Sequence, residues 1–201
     1  MKAHLVVETT LSPWVVPARE IVLRGGERVW LRPVSPDDER LILANFSKVT
    51  PEEIHQRFFE YLRVPPQDLI ELLTHCDACR ELALVATPLA GQGEADEAYG
   101  VVRLVADPLL TEAEFAIIVR HDWQGRGLGW AMTQVALDEA RRRGLRLVFA
   151  LTLRDNHGML RMLREFGFSV ANDPSAIGVV RAELPLPPVG ADGPGDYLSG
   201  I

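Results

Sequence analysis

Between Val119 and Met132 the chain reads VRHDWQGRGLGWAM, with Gly125, Gly127 and Gly129 alternating just where a strand should end and a helix begin. The first backbone N–H groups of a helix have no partner inside it, and the helix dipole adds partial positive charge there. Glycine removes the Cβ that would keep a ligand away and permits the positive φ that a tight cradle needs. This pattern fits a phosphate group. A single dipole attraction is worth about 0.3–1 kcal/mol, so several amides must converge on the anion. Two familiar loops are excluded on residues. A Walker A loop needs Gly-Lys-Ser/Thr, but Gly129 is followed by Trp130 and Ala131. A dinucleotide loop needs a third glycine where Trp130 stands, and its strand should open a βαβ unit rather than follow other antiparallel strands.

The elements around this loop can be read outward from it. EAEFAIIVR, Glu112 to Arg120, forms the strand that enters the loop. It is apolar apart from Glu112, Glu114 and the terminal arginine. A helix follows from about Gly127 to Arg142, with Leu128, Met132, Val135 and Ala136 on one stripe and Gly144 at its C-terminal turn. LRLVFALTL has the nearly unbroken apolar character of a strand covered on both faces. A short helix, NHGMLRMLREFGF, and a last strand, GVVRAELPL, come next. Upstream, IVLRGGERVWLRPV reads as strand, Gly-Gly turn and strand, with Val29 and Leu31 on one face. Ser35 with Pro36, and Thr50 with Pro51, Glu52 and Glu53, mark two helix starts. A third helix, PQDLIELLTHC, precedes two strands, Glu81–Thr87 and Tyr99–Ala106, joined by a polar loop. The order predicts a mixed α/β domain around one sheet, spanning 21–185, with a linker at 1–20 and a loose Pro/Gly-rich tail at 186–201.

With these elements placed, QGRGLG, Gln124 to Gly129, resembles the Q/R-x-x-G-x-G/A acetyl-CoA loop of the GNAT acetyltransferases. Asn156 to Phe168, N-x-x-M-L through F-G-F, resembles their second signature. The likeness extends over about Val29 to Leu184. LRPVSPDDERLI, RFFEYL, ELALVA, AEFAIIVR and NHGML are further similar to the acetyltransferase domain of bacterial Pat-type protein lysine acetyltransferases. The resemblance implies an α+β fold: a largely antiparallel sheet flanked by helices and splayed between the fourth and fifth strands. It also implies direct transfer of acetyl from acetyl-CoA to an amine. Amides of Gln124, Gly125, Arg126, Gly127, Leu128 and Gly129 would hold the pyrophosphate. Ile117, Ile118 and Val119 would pair with the pantetheine arm as an added strand. The amide of Ile117 or Ile118 would donate to the thioester carbonyl, and Asn156 would touch coenzyme A.

Transfer to lysine also needs a base. Deprotonating an amine of pKa about 10.4 at neutral pH costs about 4.6 kcal/mol. Glu114, inside an otherwise apolar strand and where the family places its glutamate, is the chosen base, with Glu112 as substitute. Many small-amine members carry a tyrosine acid seven residues after the asparagine. Leu163 stands there, so no general acid is assigned. The implied acceptor is a lysine on a protein, family-typically an acyl-CoA synthetase. A small amine, or acyl-CoA binding without catalysis, are the alternatives.

Composition narrows the classes further. A net charge of -7 argues against nucleic-acid binding. No apolar run suits a membrane span and no secretory signal opens the chain, so a cytoplasmic location is expected. Cys76 and Cys79 lack a second pair at metal spacing, so helix-end residues are expected rather than a metal site. The histidines read as surface or capping residues, and the loop acids Glu94, Asp96 and Glu97 as solvated.

Overall fold

The computed structural model describes residues 14–62, 64–91, 93 and 97–187. Its strands are β1 (Arg19–Val22), β2 (Arg28–Pro33), β3 (Glu81–Thr87), β4 (Gly100–Ala106), β5 (Glu112–Val119), β6 (Leu147–Leu153), β7 (Ser169–Asn172) and β8 (Val179–Pro185). Its helices are α1 (Glu39–Phe46), α2 (Pro51–Phe58), α3 (Gln67–Thr74), α4 (Leu128–Arg142) and α5 (His157–Glu165). One sheet takes the order β1-β2-β3-β4-β5-β6-β8-β7, antiparallel throughout except where β5 meets β6.

Local chemistry explains the helix starts. At α2 the Thr50 hydroxyl accepts from the Glu53 amide at 3.2 Å, and Glu53 reaches back to the Thr50 amide at 2.8 Å. This reciprocal cap satisfies two donors that the helix itself leaves unpaired. Before α1, Asp38 accepts from the Ser35 amide at 2.8 Å and from Arg32 at 2.7 Å.

The strand period sorts side chains between two layers. Leu82, Leu84, Val102, Leu104, Ala113, Phe115, Val148 and Ala150 join one core with Leu128, Met132 and Ala136 of α4 and Leu163 of α5. On the opposite face, Val85 packs with Leu41, Ile42 and Ile70, and Ile118 packs with Phe46, Ile54 and Phe58. Helices α1–α3 therefore cover one side of the sheet and α4 the other. Val29 and Leu31 share a buried face of β2, as their alternation requires.

Four features depart from the sequence expectation. Trp14 and Val16, placed in the linker, are buried in the main core, and β1 begins at Arg19. Strand β7 lies in a stretch read as having no strand; it is four residues long and covers the β8 edge. β6 is closed on one side only, with Val148, Ala150 and Thr152 buried, while Phe149 lies under the Arg181 guanidinium at 3.7 Å. The splay falls between β5 and β6, the fifth and sixth strands in chain order rather than the fourth and fifth. The tail from 188 onward lies outside the described residues, as do Glu94 and Asp96.

Candidate active site

β5 and β6 run parallel but pair only through Glu112–Leu147, Ala113–Val148 and Glu114–Phe149. Beyond Glu114 they part, leaving the rest of β5 with an edge that faces a gap. The ladder on its other side decides which groups face that gap. Every β5–β4 pair keeps one register, and bonds from Arg120 N–H to Tyr99 at 3.0 Å and from Asp107 N–H to Glu112 at 2.9 Å fix its parity. Even-numbered β5 residues turn their backbone groups toward β4, and odd-numbered ones turn theirs toward the gap. Ile117 and Val119 thus face the gap and Ile118 does not. The expectation that Ile118 offers edge groups or an oxyanion donor is corrected: its amide belongs to the ladder with Val101. Ile117, whose amide faces the gap, is the remaining candidate for that role.

The glycine loop continues from this edge. Gly125 and Gly127 have φ of +72° and +89°, the left-handed region that side chains disfavour. A Cβ on Gly125 would meet nothing within 4 Å, so the loop is open above it. The first intrahelical bond of α4 runs from Ala131 to Gly127 at 2.9 Å. Among the described residues, no hydrogen bond uses the amides of Gly125, Arg126, Gly127, Leu128, Gly129 or Trp130. Such a set, at the N-terminus of a fifteen-residue helix, can hold an anion. Gln124 differs from the expectation. Its amide donates to the His121 carbonyl at 3.2 Å. Its side-chain nitrogen donates to the Val119 carbonyl at 2.8 Å and to Glu53 at 2.7 Å. It is a strut, joining the end of β5 to the capped start of α2.

Other side chains fasten the loop. Arg120 donates to Asp122 at 2.6 and 2.8 Å and to Glu97 at 2.9 Å. The hydrogen bond from Arg120 holds the Asp122 carboxyl below the usual range. Glu97, expected to be solvated, is thus a structural partner. Trp123 stacks on Tyr99 at 3.7 Å between ring centroids. Arg126 lies over Trp123 at 5.2 Å, and Arg24 of the β1–β2 turn over Trp130 at 5.5 Å. None of Glu53, Tyr99, Arg120 or Trp123 was singled out in sequence; only the capping signature at Thr50 pointed toward one of them.

Glu114 is exposed and occupies the last β5 position that pairs with β6, so it stands where the strands separate. Glu112 lies two residues deeper in the paired part and farther from the gap. Asn156 follows β6 and caps α5, its side-chain oxygen accepting from the Met159 amide at 3.1 Å. Leu163 is 0% exposed in the main core, an apolar side chain with no proton to give. Met162 instead approaches the cradle, where a Cβ on Gly129 would meet its sulfur at 3.7 Å. His75 is the C-cap of α3, and Cys76 and Cys79 follow it without forming a disulfide among the described residues.

On the α1–α2 side of the gap, next to Glu114 in the strand, Ala116 and Ile118 form one wall of a pocket. Phe46, Phe58, Asn45, Arg57 and Arg103 close it. Burial pulls the Arg57 pKa down to about 10; the charge of Glu114 opposes that pull and Arg103 adds to it.

Comparison with known proteins agrees with this geometry. The model of the acetyltransferase (GNAT) domain family matches residues 28–169, more than half of the chain. The acetyltransferase Pat of Mycolicibacterium smegmatis is 28% identical over 185 residues, covering 92% of this chain and 53% of that protein. The chain therefore spans about half the length of this relative. The acetyltransferase PA5475 of Pseudomonas aeruginosa is 27% identical over 152 residues, covering 76% of this chain and 81% of that protein. Among solved structures, the GNAT domain of S. lividans PAT superposes with a TM-score of 0.75 at 27% identity, over 86% of this chain and 97% of that one. In fold alone, the ribosomal L7/L12 acetyltransferase RimL, solved in complex with coenzyme A, matches with a TM-score of 0.63 at 14% identity, over 79% of this chain and 94% of that one. With its family model, its parted strands and its glycine cradle in agreement, the chain belongs to the GNAT acetyltransferases.

Proposed function

We propose that this protein transfers acetyl from acetyl-CoA directly to the side-chain amine of a lysine on a protein, acyl-CoA synthetases being the targets that the Pat likeness favours. One observation carries the reading: the open edge of β5 runs from Glu114, where the strands separate, to unpaired amides at the head of α4. A diphosphate held by Gly125–Gly129 directs an extended pantetheine arm back along that edge, pairing with Ile117 and Val119 as a strand would. The Ile117 amide donates to the thioester carbonyl and stabilises the charge that develops on its oxygen. Glu114, directly or through water, takes the proton from the acceptor ammonium. The freed amine attacks the carbonyl carbon, forming the C–N bond. The C–S bond then breaks as the nitrogen gives up its remaining extra proton, and that proton, relayed by water, neutralises the leaving thiolate. With Leu163 buried, the α5 position used by a tyrosine in many small-amine relatives supplies no acid here.

Mass spectrometry of a cell lysate incubated with the protein and isotopically labelled acetyl-CoA tests this. Labelled lysines on a restricted set of proteins are expected. Label confined to free polyamines or amino acids would assign the small-amine reading instead. Coenzyme A binding with no labelled product would leave a binding module without catalysis.

A further inference from the structure

The pocket beside Ala116 and Ile118 has polar groups that the acetyl reaction leaves unused. Its walls are mostly apolar, with Phe46, Phe58 and Ile118 prominent. Into this setting the fold brings two guanidinium groups. Arg103 is 6% exposed; one arm donates to Glu81 at 2.5 Å, while its Nε is buried without a partner. Arg57, half-buried, has no hydrogen bond or ion pair among the described residues; it lies over the Phe58 ring at 4.8 Å and feels the charge of Glu114.

Removing a cation from water without an anion is unfavourable; half-buried Arg57 has no hydrogen-bonded anion and Arg103 keeps an unpaired Nε beside its Glu81 bridge, which points to a ligand. The charged groups around the pocket are Arg57, Arg103, Glu81 and Glu114. Glu81 already occupies one arm of Arg103, and Glu114 is exposed at the strand split. The planar fork of a guanidinium matches a carboxylate with two parallel hydrogen bonds. The pocket wall Ala116 adjoins Ile117, assigned above to the thioester carbonyl. Whatever enters is therefore tethered close to the reacting carbon.

We propose that this pocket receives a carboxylate carried by one of the two substrates, either the far end of a dicarboxylic acyl thioester or an acid next to the acceptor amine. The inference rests on the acyl-transfer reading. It adds that the enzyme selects an acidic substrate through Arg57, with Arg103 beside it.

Two arms separate the sources. In the first, calorimetry compares succinyl-CoA with butyryl-CoA, a thioester of equal chain length without the acid. In the second, acetyl transfer from acetyl-CoA is compared for a Glu-Lys-Glu and a Gln-Lys-Gln peptide. One arm is expected to favour the acidic member by at least about 10-fold, the lower end of what a hydrogen bond to a charged group contributes, and Arg57→Met should erase that ratio. Because the readout is a ratio, a general loss of activity does not imitate it. If Arg57→Met yields no folded protein, Arg57→Lys, which keeps the charge but loses the fork, reads the same ratio. Equal values in both arms of the wild-type protein, or a preference unchanged in the variant, would overturn the inference. Failure of the wild-type protein to bind coenzyme A would instead overturn the acyl-transfer reading itself.

Discussion

At the scale of single residues, Glu114 and Gln124 show what a sequence can and cannot say. Two carboxylates within EAEFAIIVR stand out against their apolar neighbours, and the structure puts one of them, Glu114, where β5 and β6 part. Replacing it with glutamine keeps the shape and removes the proposed base. Glu114→Gln should lower kcat by about 10² to 10⁴-fold while calorimetric affinity for coenzyme A stays the same; Glu112→Gln should do far less. Equal turnover in the Glu114 variant and the wild type would remove it as base. Gln124 matched the loop signature by type, but its role was hidden. Its side chain bonds to Glu53, seventy-one positions away in the chain, and no local pattern encodes such a partner. Ile118 failed for a related reason. Strand periodicity separates odd from even residues, but only the identity of the neighbouring strand tells which set faces the open edge.

At the scale of elements, the helix starts were legible because caps are local. Ser35 with Asp38 and Thr50 with Glu53 act within three residues of one another. Strand β7 was not legible, because four residues at a sheet edge, mostly exposed, carry little alternation. Glu53 links two elements. One carboxylate oxygen caps α2 and the other holds the Gln124 strut under the glycine loop. Glu53→Ala should therefore cost about 1–2 kcal/mol in denaturant unfolding, as expected for a lost cap, and should also weaken coenzyme A binding. A stability loss with unchanged affinity would show that the strut does not hold the cradle. The fastening through Asp122 follows pH in a defined direction. Its folded pKa is lowered, so its contribution is present above the unfolded carboxylate value and is lost as pH falls through the lower folded value. Loop order, followed by fluorescence of Trp123, should persist at pH 5 and decline only in stronger acid. A transition near neutral pH would contradict this.

At the scale of the whole molecule, a mixed α/β domain around one sheet followed from the succession of elements, whereas the boundary of the domain did not. Pro13 and Pro17 suggested a linker, yet Trp14 between them enters the core. Its amide donates to Ala78 at 2.7 Å, and Arg143 lies over its ring at 4.7 Å. It thereby ties the entry of the chain to the end of α4. Trp14→Ala should destabilise the fold by about 3–5 kcal/mol, the range for losing a large core aromatic. A change below about 0.5 kcal/mol, the level of ordinary surface substitutions, would return that segment to the linker. Pairings between distant parts of the chain likewise set the central feature: two parallel strands that separate after three residues and open onto the head of a helix. A crystal structure with coenzyme A bound tests this most directly. The account predicts diphosphate oxygens at about 2.7–3.2 Å from amides of Gly125 to Gly129, with the pantetheine lying along Ile117 and Val119 and its thiol near Glu114. A diphosphate held elsewhere, with the head of α4 left empty, would contradict it.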